Sequence, residues 1–316
     1  MTTLDMSRRS LLAGIAAATG TTLLGAGAAA AALPVIFAAG VDPAYTPAYL
    51  ANYRNMYANS GLDFKLQTFS QGGDAVDAVA TNMATFSGAG EQTTMIRMAR
   101  AEMRALAIWA TTGDFIKLTA RQGITDPTQI RKVGVVAGSV SEYCTNLMLE
   151  HYNIAPATVE KVRSGPPELP ALLARGDIDA YFVWEPWATA GTKVGGTILL
   201  KSRDIGYVST LWLTTNRAWY DQNAEAAKTF VSVMAQACDM AQGSTDLAAE
   251  AVNSVIKMDP ATSKPIIKEM DFKVRDFSDE DFASFDRIAK FLHDQKVTEK
   301  LLDYRPHMVR DFVKGI

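Results

Sequence analysis

The side chains best suited to chemistry lie where predicted strands end. Arg175–Trp187 (RGDIDAYFVWEPW) reads as a helix that ends at Gly176, a short apolar strand, and two tryptophans separated by Glu185 and Pro186. The earlier stretch Ala75–Gln92 repeats this order with a helical run, a turn, a strand and a Gly-rich exit. Ligands of open parallel sheets bind at the carboxyl ends of strands. The two stretches therefore predict two similar lobes, each presenting a binding edge to the other.

A loop after another predicted strand offers groups that bind an anion. Gly138 allows close approach, Ser139 and Ser141 carry hydroxyls, and free N–H groups at the start of the next helix favour negative charge near Glu142. Either serine also fits a purely structural role as the N-cap of that helix.

Aromatic side chains supply the expected apolar contact. We expect Trp184, just past the strand end, to line the cleft and Trp187 to pack inside; Tyr45 and Trp212 are further aromatic candidates. The complete set of candidate ligand-binding residues is Tyr45, Gly88, Glu91, Gln92, Thr112, Gly138, Ser139, Ser141, Glu142, Trp184, Glu185 and Trp212.

Charge restricts the ligand that such a cleft would hold. The predicted cleft edges are Gly40–Tyr45, Ser70–Asp74, Ser87–Gln92, Thr111–Asp114, Gly138–Tyr143, Trp184–Trp187 and Ser209–Trp212. None of them contains Lys or Arg, whereas six carry a carboxylate, so we expect a monoanion held by N–H and hydroxyl groups rather than a dianion held by guanidinium groups. Glu91 or Glu185 would accept a cationic or N–H end of the ligand, unless these carboxylates only stabilise helix N-termini.

Catalytic, metal and cofactor signatures are missing from the sequence. It has no Gly-x-Ser-x-Gly elbow, Walker motif or dinucleotide fingerprint, and its three histidines are scattered. Glu91 and Glu185 could in principle form a glycosidase-like carboxylate pair, but two lobes on a hinge disfavour it. The two cysteines, Cys144 and Cys238, are too few for a metal site and are expected to be buried free thiols. We therefore predict a binding protein with no catalytic residue, no cofactor and no metal; the net charge of −3 and the lack of a basic block disfavour nucleic acid.

The N-terminus indicates export. Ser7–Leu12 (SRRSLL) opens a weakly hydrophobic run that ends in the small residues Ala26–Ala32. This pattern predicts a twin-arginine signal peptide over residues 1–32, cleaved near Ala30–Leu33, and hence a periplasmic protein. An uncleaved anchor, or a Sec signal that carries two arginines, is the alternative.

The alternation of strands and helices predicts an α/β fold of two lobes, each a mostly parallel sheet flanked by helices. We assign residues 33–113 and 205–316 to lobe 1 and residues 114–204 to lobe 2. Two crossings, near Thr111–Phe115 and near Ser202–Tyr207, would form a two-strand hinge.

These features resemble the periplasmic substrate-binding proteins of ABC importers, in the nitrate, sulfonate and taurine branch that includes thiamine-pyrimidine-related members. The family pattern Gly-x-Ile-Asp-Ala, strand, Trp-(Glu/Asp)-Pro is matched by Gly176, Ile178, Asp179, Ala180, Trp184, Glu185 and Pro186. Gly138 and Ser139 match the small-hydroxyl loop Gly-Ser-(Ser/Thr), from which Val140 departs.

The resemblance implies a type II periplasmic-binding-protein fold, with a small solute held between the lobes and delivered by a monomer to an ABC permease in the inner membrane. Nitrate and bicarbonate members are expected to carry a basic residue or a metal site, which the cleft edges lack, so an alkanesulfonate or taurine fits best. A thiamine pyrimidine precursor is the second ligand class. An enzyme of the pyrimidine-synthase type on the same fold is a further alternative, although the family's iron-associated motif is rich in cysteine and Cys144 stands alone.

Overall fold

The computed structural model describes residues 31–316, so the predicted signal peptide lies almost entirely outside the described residues. Within the described part of the chain, no helix is both long enough and apolar enough to cross a membrane.

Strands and helices alternate along most of the chain. The strands are β1 (Leu33–Gly40), β2 (Leu62–Phe69), β3 (Phe86–Gly90), β4 (Met103–Thr112), β5 (Ile116–Ala120), β6 (Lys132–Val135), β7 (Glu160–Arg163), β8 (Ala180–Trp184), β9 (Thr197–Lys201), β10 (Ser209–Asn216) and β11 (Asp271–Arg275). The α-helices are α1 (Thr46–Tyr53), α2 (Gly72–Ala80), α3 (Glu91–Met98), α4 (Val140–His151), α5 (Leu169–Arg175), α6 (Trp187–Thr192), α7 (Arg217–Gln222), α8 (Ala224–Gly243), α9 (Thr245–Ile256), α10 (Pro260–Ile267) and α11 (Asp279–Asp294).

Two sheets form the centres of two lobes. The first has the order β11-β4-β10-β3-β1-β2 and the second the order β7-β6-β8-β5-β9. Apart from β10 and β11, the strands of the first sheet run in one direction; apart from β5, so do those of the second. The predicted two-lobed, mostly parallel α/β fold is therefore confirmed.

The antiparallel strands were not predicted. Both β5 and β10 enter a sheet directly after the chain has crossed from the other lobe, and each inserts between strands of the opposite direction. The β5 sequence IKLTA mixes polar with apolar residues, yet all five are buried, because the strand lies between β8 and β9.

Aromatic packing joins the late helices to the first sheet. Phe230 of α8 stacks on Phe86 of β3 with ring centroids 3.9 Å apart, and it also stacks on Phe37 of β1. All three side chains are fully buried, and burying each one contributes about 2 kcal/mol or more. In the second lobe, Gly176 ends α5 in the left-handed conformation (φ 78°), as its place in the sequence predicts.

The chain passes between the sheets twice, and hydrogen bonds tie the two crossings together. Thr112 Oγ1 accepts from the N–H groups of Asp114 and Phe115, at 3.2 and 3.0 Å. Gly113 carbonyl accepts from Ser202 Oγ at 3.1 Å and from the N–H of Arg203 at 3.0 Å. The crossings therefore lie side by side, at the end of β4 and the start of β10.

Glu91 anchors the second crossing from the first turn of α3. Its carboxylate is fully buried and accepts from Tyr207 Oη at 2.7 Å, Ser209 Oγ at 3.0 Å and the N–H of Thr210 at 3.1 Å. Burial raises the pKa of Glu91 to about 7, although these hydrogen bonds act in the opposite direction.

The raised pKa makes stability depend on pH at this site. The native state disfavours the ionised carboxylate, so Glu91 lowers the free energy of unfolding progressively as pH rises from its unfolded pKa of 4.5 through about 7. We expect Glu91→Gln to gain stability relative to the wild type across that interval, by an amount approaching about 3 kcal/mol. Denaturant unfolding at several pH values between about 5 and about 8 measures this difference.

Glu102→Gln is the control, because the hydrogen bond with Arg217 lowers the pKa of the exposed Glu102 from 4.5, so its contribution changes only at lower pH and this variant's difference from the wild type should stay constant between about pH 5 and about pH 8. A stability difference between wild type and Glu91→Gln that stays constant over this pH range would contradict the assignment.

Candidate functional site

A cavity opens between the carboxyl ends of strands from both sheets. It encloses about 720 Å³, including open solvent at its mouth. The first lobe contributes the segments that follow β1 and β3 and the start of α2, and the second contributes the start of β5, the loop before α4 and the end of β8. This is the position at which an open α/β sheet binds ligands.

Five of the predicted site residues line this cavity: Tyr45, Thr112, Gly138, Ser139 and Trp184. Trp184 is half-buried at the end of β8, and Phe115 and Ile116 of the same lobe also line the wall. Both Trp184 and Trp187 pack against the smaller apolar cluster of the second lobe, which contains Leu169 and Tyr181, but Trp187 does not line the cavity. The structure thus brings Trp184, rather than Trp187, to the cavity.

The remaining predicted residues do not line the cavity: Gly88, Glu91, Gln92, Ser141, Glu142, Glu185 and Trp212. Trp109 packs directly on Gly88, where a side chain would have no room. Trp212 of β10 is fully buried and donates from Nε1 to Thr210 Oγ1 at 2.9 Å. Gln92 is buried and contacts the Tyr207 hydroxyl through Nε2.

The polar groups of the loop before α4 form hydrogen bonds with one another. Ser139 caps the helix: its Oγ accepts from the N–H of Ser141 at 3.1 Å and donates to the Val136 carbonyl at 2.7 Å. Ser141 Oγ accepts from the N–H of Val136 at 3.0 Å, and the N–H of Gly138 donates to Glu142 Oε2 at 2.9 Å. The two serine hydroxyls and the N–H of Gly138, which the sequence suggested for an anion, are therefore engaged within the loop.

Glu185 is compensated by a lysine that the sequence analysis missed. The fully buried Glu185 carboxylate pairs with Lys117 Nζ and accepts from the N–H of Thr189 at 3.0 Å and from its Oγ1 at 2.6 Å. Lys117 also bonds to Glu269 Oε1 at 2.7 Å. Burial acts to lower the pKa of Lys117, but the hydrogen bonds to the two carboxylates raise it above its ordinary value. Glu185 is accordingly occupied by protein groups rather than facing a ligand.

The expectation of a cavity without basic side chains is wrong, because Arg97 lies in its wall. Arg97 extends from the last turn of α3 to the start of α2, where Nη2 is 2.9 Å from the position that a Cβ on Gly73 would take. It pairs with Asp77 through Nε (3.0 Å) and Nη2 (2.8 Å). The sequence argument considered only residues at strand ends, whereas this side chain comes from the far end of a helix.

The N-terminus of α2 also faces the cavity. Gly72 and Gly73 line the wall, and Gln71 provides no side-chain hydrogen bond to cap the helix. The first N–H groups of a helix have no partner within it and carry positive partial charge. A side chain on Gly72 would lie 2.7 Å from Tyr45 Oη, so glycine is required for this close approach. Together with Arg97, these N–H groups form a surface that attracts an anion.

Asp42 provides negative charge on the same wall. It follows β1, is only 6% exposed, and accepts from the N–H of Ala44 at 2.9 Å through Oδ1. Burial raises the pKa of Asp42 to about 7. The sequence analysis placed Asp42 at a cleft edge but did not include it among the candidate residues.

Within residues 31–316, no cluster of His, Cys, Asp and Glu side chains has the arrangement of a metal site. Cys144 of α4 and Cys238 of α8 are free, buried thiols, and burial raises the pKa of both.

Comparison with known proteins agrees with this architecture. The taurine-binding periplasmic protein of Escherichia coli (strain K12) is 27% identical over 164 residues, which cover 51% of each chain, so the match spans about half the length of that curated relative. The alkanesulfonate-binding protein SsuA from Xanthomonas axonopodis pv. citri, solved with bound MOPS, superposes with a TM-score of 0.77 at 14% identity, covering 88% of this chain and 98% of the other. The desulfurization enzyme DSZB superposes with a TM-score of 0.66 at 16% identity, covering 90% and 98%.

At such low identities the solved structures show a shared fold, and they confirm the predicted periplasmic-binding-protein architecture. A family model described as NMT1/THI5 like matches residues 42–247, which is more than half of the chain. The resemblance predicted from the sequence is confirmed, and the chain belongs to the NMT1/THI5-like family.

Proposed function

We propose that the protein is the extracytoplasmic solute-binding component of an ABC importer and binds a small organic sulfonate between its two lobes. The observation that carries this proposal is the pairing, in one cavity, of an anion-attracting surface at the start of α2 with the aromatic wall of Trp184 and Phe115. The similarity to taurine- and alkanesulfonate-binding proteins supports the same ligand class.

The anion-attracting surface suits a single negative charge. The N–H groups of Gly72 and Gly73 and the Nη1 of Arg97 are donors for sulfonate oxygens, while Asp77 already neutralises most of the guanidinium charge. A dianion would leave one charge uncompensated by these donors, and this is costly where the site is shielded from solvent. A monoanionic sulfonate therefore fits better than sulfate or a phosphate monoester.

The two lobes would contact different parts of the ligand. The first lobe holds the anion, and the second offers Trp184, Phe115 and Val140 to the carbon skeleton. Only the closed arrangement makes both sets of contacts, so the ligand shifts the population of lobes toward closure. A permease of the inner membrane would then receive the closed, loaded monomer in the periplasm, after export under the predicted twin-arginine signal.

Binding without turnover accounts for the cavity better than catalysis. The fold is shared with a desulfurization enzyme, but the residues lining this cavity include no cysteine and no histidine. Both cysteines lie in helices α4 and α8, away from the wall, with raised thiol pKa values that disfavour the reactive thiolate. We therefore propose no catalytic residue; a thiamine pyrimidine precursor remains a second ligand class for the screen below.

The first test is a ligand screen on the mature protein. We expect taurine and short alkanesulfonates to raise the melting temperature, with sulfate and an aminopyrimidine weaker; a ligand at about 100 times its dissociation constant stabilises by roughly 2.7 kcal/mol. Mass spectrometry of the recovered ligand should find it unchanged. Stabilisation by none of the sulfonates at millimolar concentration, or conversion of any of them to product, would contradict the proposal.

The second test compares two tryptophans of the same segment. Trp184→Ala removes an aromatic wall of the cavity and should weaken the best sulfonate by about tenfold or more in calorimetry, since the buried apolar contact is lost. Trp187→Ala removes packing from the second-lobe cluster and should lower stability while leaving affinity nearly unchanged. Equal effects of the two variants on affinity would mean that the ligand does not contact the wall formed by Trp184.

A further inference from the structure

Each of the six carboxylates at the cleft edges accepts at least one hydrogen bond or ion pair from the protein, Asp42 from the N–H of Ala44. The partners of the other five are as follows: Asp74 with Ser70, Glu91 with Tyr207, Ser209 and Thr210, Asp114 with Lys201 and Arg203, Glu142 with Gly138, and Glu185 with Lys117 and Thr189. None of these five lines the cavity. They accordingly serve the fold and the crossings between the lobes.

Asp42 is the carboxylate that does line the cavity. Its Oδ1 accepts one backbone N–H, from Ala44, while Oδ2 receives no hydrogen bond and no cationic side chain pairs with the carboxylate among residues 31–316. Only 6% of the residue stays exposed, and such burial disfavours the ionised form of the carboxylate. Such a side chain is stabilised either by protonation or by a donor that a ligand brings.

The start of α2 lies next to this carboxylate. A Cβ on Gly40, the last residue of β1, would be 3.3 Å from Asp42 Oδ2 and 3.2 Å from the backbone nitrogen of Gly72. The unpaired carboxylate oxygen and the first N–H of α2 are thus neighbours on one side of the cavity. Together they offer an acceptor and a donor to the two ends of a short zwitterion.

We propose that Asp42 is a specificity-determining residue that accepts the ammonium group of an aminoalkanesulfonate whose sulfonate is bound at the start of α2. This inference rests on the proposed sulfonate-binding function and narrows its ligand to zwitterions of the 2-aminoethanesulfonate type. A simple alkanesulfonate would place its anion near Asp42 with no cation to offset it, so the same residue disfavours that ligand.

Among the charged and titratable groups in this region, Asp42 is the one whose charge we expect a ligand to compensate. The titratable and charged groups on the elements packed around it are Tyr45 and Tyr49, whose pKa values burial raises, Arg97, which pairs with Asp77, and Lys264 and Lys268, which lie beside Asp246. Both tyrosines stay neutral near pH 7, and Arg97 and Lys264 already have acidic partners.

The test measures preference rather than affinity alone. Calorimetric titration of taurine and of ethanesulfonate, which lacks the ammonium group, is carried out on the wild type, Asp42→Asn and Asp63→Asn. Asparagine keeps the hydrogen bond to Ala44, and Asp63 is a half-exposed carboxylate of β2 whose replacement controls for the loss of one charge. We expect the wild type to prefer taurine, Asp42→Asn to reduce this preference by about tenfold or more, and Asp63→Asn to keep it.

A second readout is the pH dependence of taurine affinity. Ammonium binding requires the ionised carboxylate, so taurine affinity in the wild type should rise between about pH 6 and about pH 8 as Asp42, with its pKa of about 7, loses its proton; Asp42→Asn should lose this rise.

The outcomes separate the two proposals. If the wild type binds both sulfonates equally, or if Asp42→Asn leaves the preference unchanged, the role of Asp42 is overturned while sulfonate binding stands. If neither sulfonate binds the wild type, the proposed function itself is wrong.

Discussion

The ion pairs of Lys117 hold the wall of the cavity together. Lys117 lies on β5, its partner Glu185 follows β8 in the same lobe, and its second partner Glu269 precedes β11 in the other lobe. One buried cation thus fixes the segment that carries Trp184 and also links the lobes near the crossings. Loss of a single partner from a buried pair leaves an uncompensated charge and typically costs about 3 to 5 kcal/mol. The position of the aromatic wall therefore depends on this compensation as well as on the apolar packing of Trp184.

The need to compensate buried charges also explains why so few of the acidic residues near the cleft are available to a ligand. Glu91 and Glu185 are fully buried, and each has at least three donors from the protein. The donors to Glu91 come from the second crossing and the start of β10, and those to Glu185 come from β5 and α6, so the carboxylates stabilise the geometry in which the lobes meet. Movement of the lobes must therefore preserve or exchange these contacts, and a bound solute shifts that equilibrium only by its extra contacts in the closed state.

Local patterns in the sequence predicted the elements and their ends. Hydrophobic periodicity, and the glycines and prolines that end helices and strands, are properties of short segments. Gly176 ends a helix, and Trp184 reaches the cavity from the end of a strand, as the segment RGDIDAYFVWEPW indicates. The partners of the charged residues could not be predicted in this way. Arg97 reaches the start of another helix, and Lys117 meets Glu185 only because β5 inserts beside β8. The role of Ser139 as an N-cap was foreseeable, since the local sequence alone contains that alternative.

Selectivity in this cavity follows from its balance of charge. Arg97 is largely neutralised by Asp77, so the attraction for an anion comes mainly from the dipole of α2, which is weaker than a full unpaired charge. A buried carboxylate such as Asp42, placed close to that dipole, opposes any ligand that is only an anion. A zwitterion reverses this effect. Its ammonium group compensates the charge of the buried carboxylate, while its sulfonate accepts hydrogen bonds from the N–H groups at the start of α2. In the proposed binding mode, all sulfonates share the contacts at the start of α2. The preference between them is therefore determined mainly by whether the ligand compensates the charge of Asp42 when the lobes close.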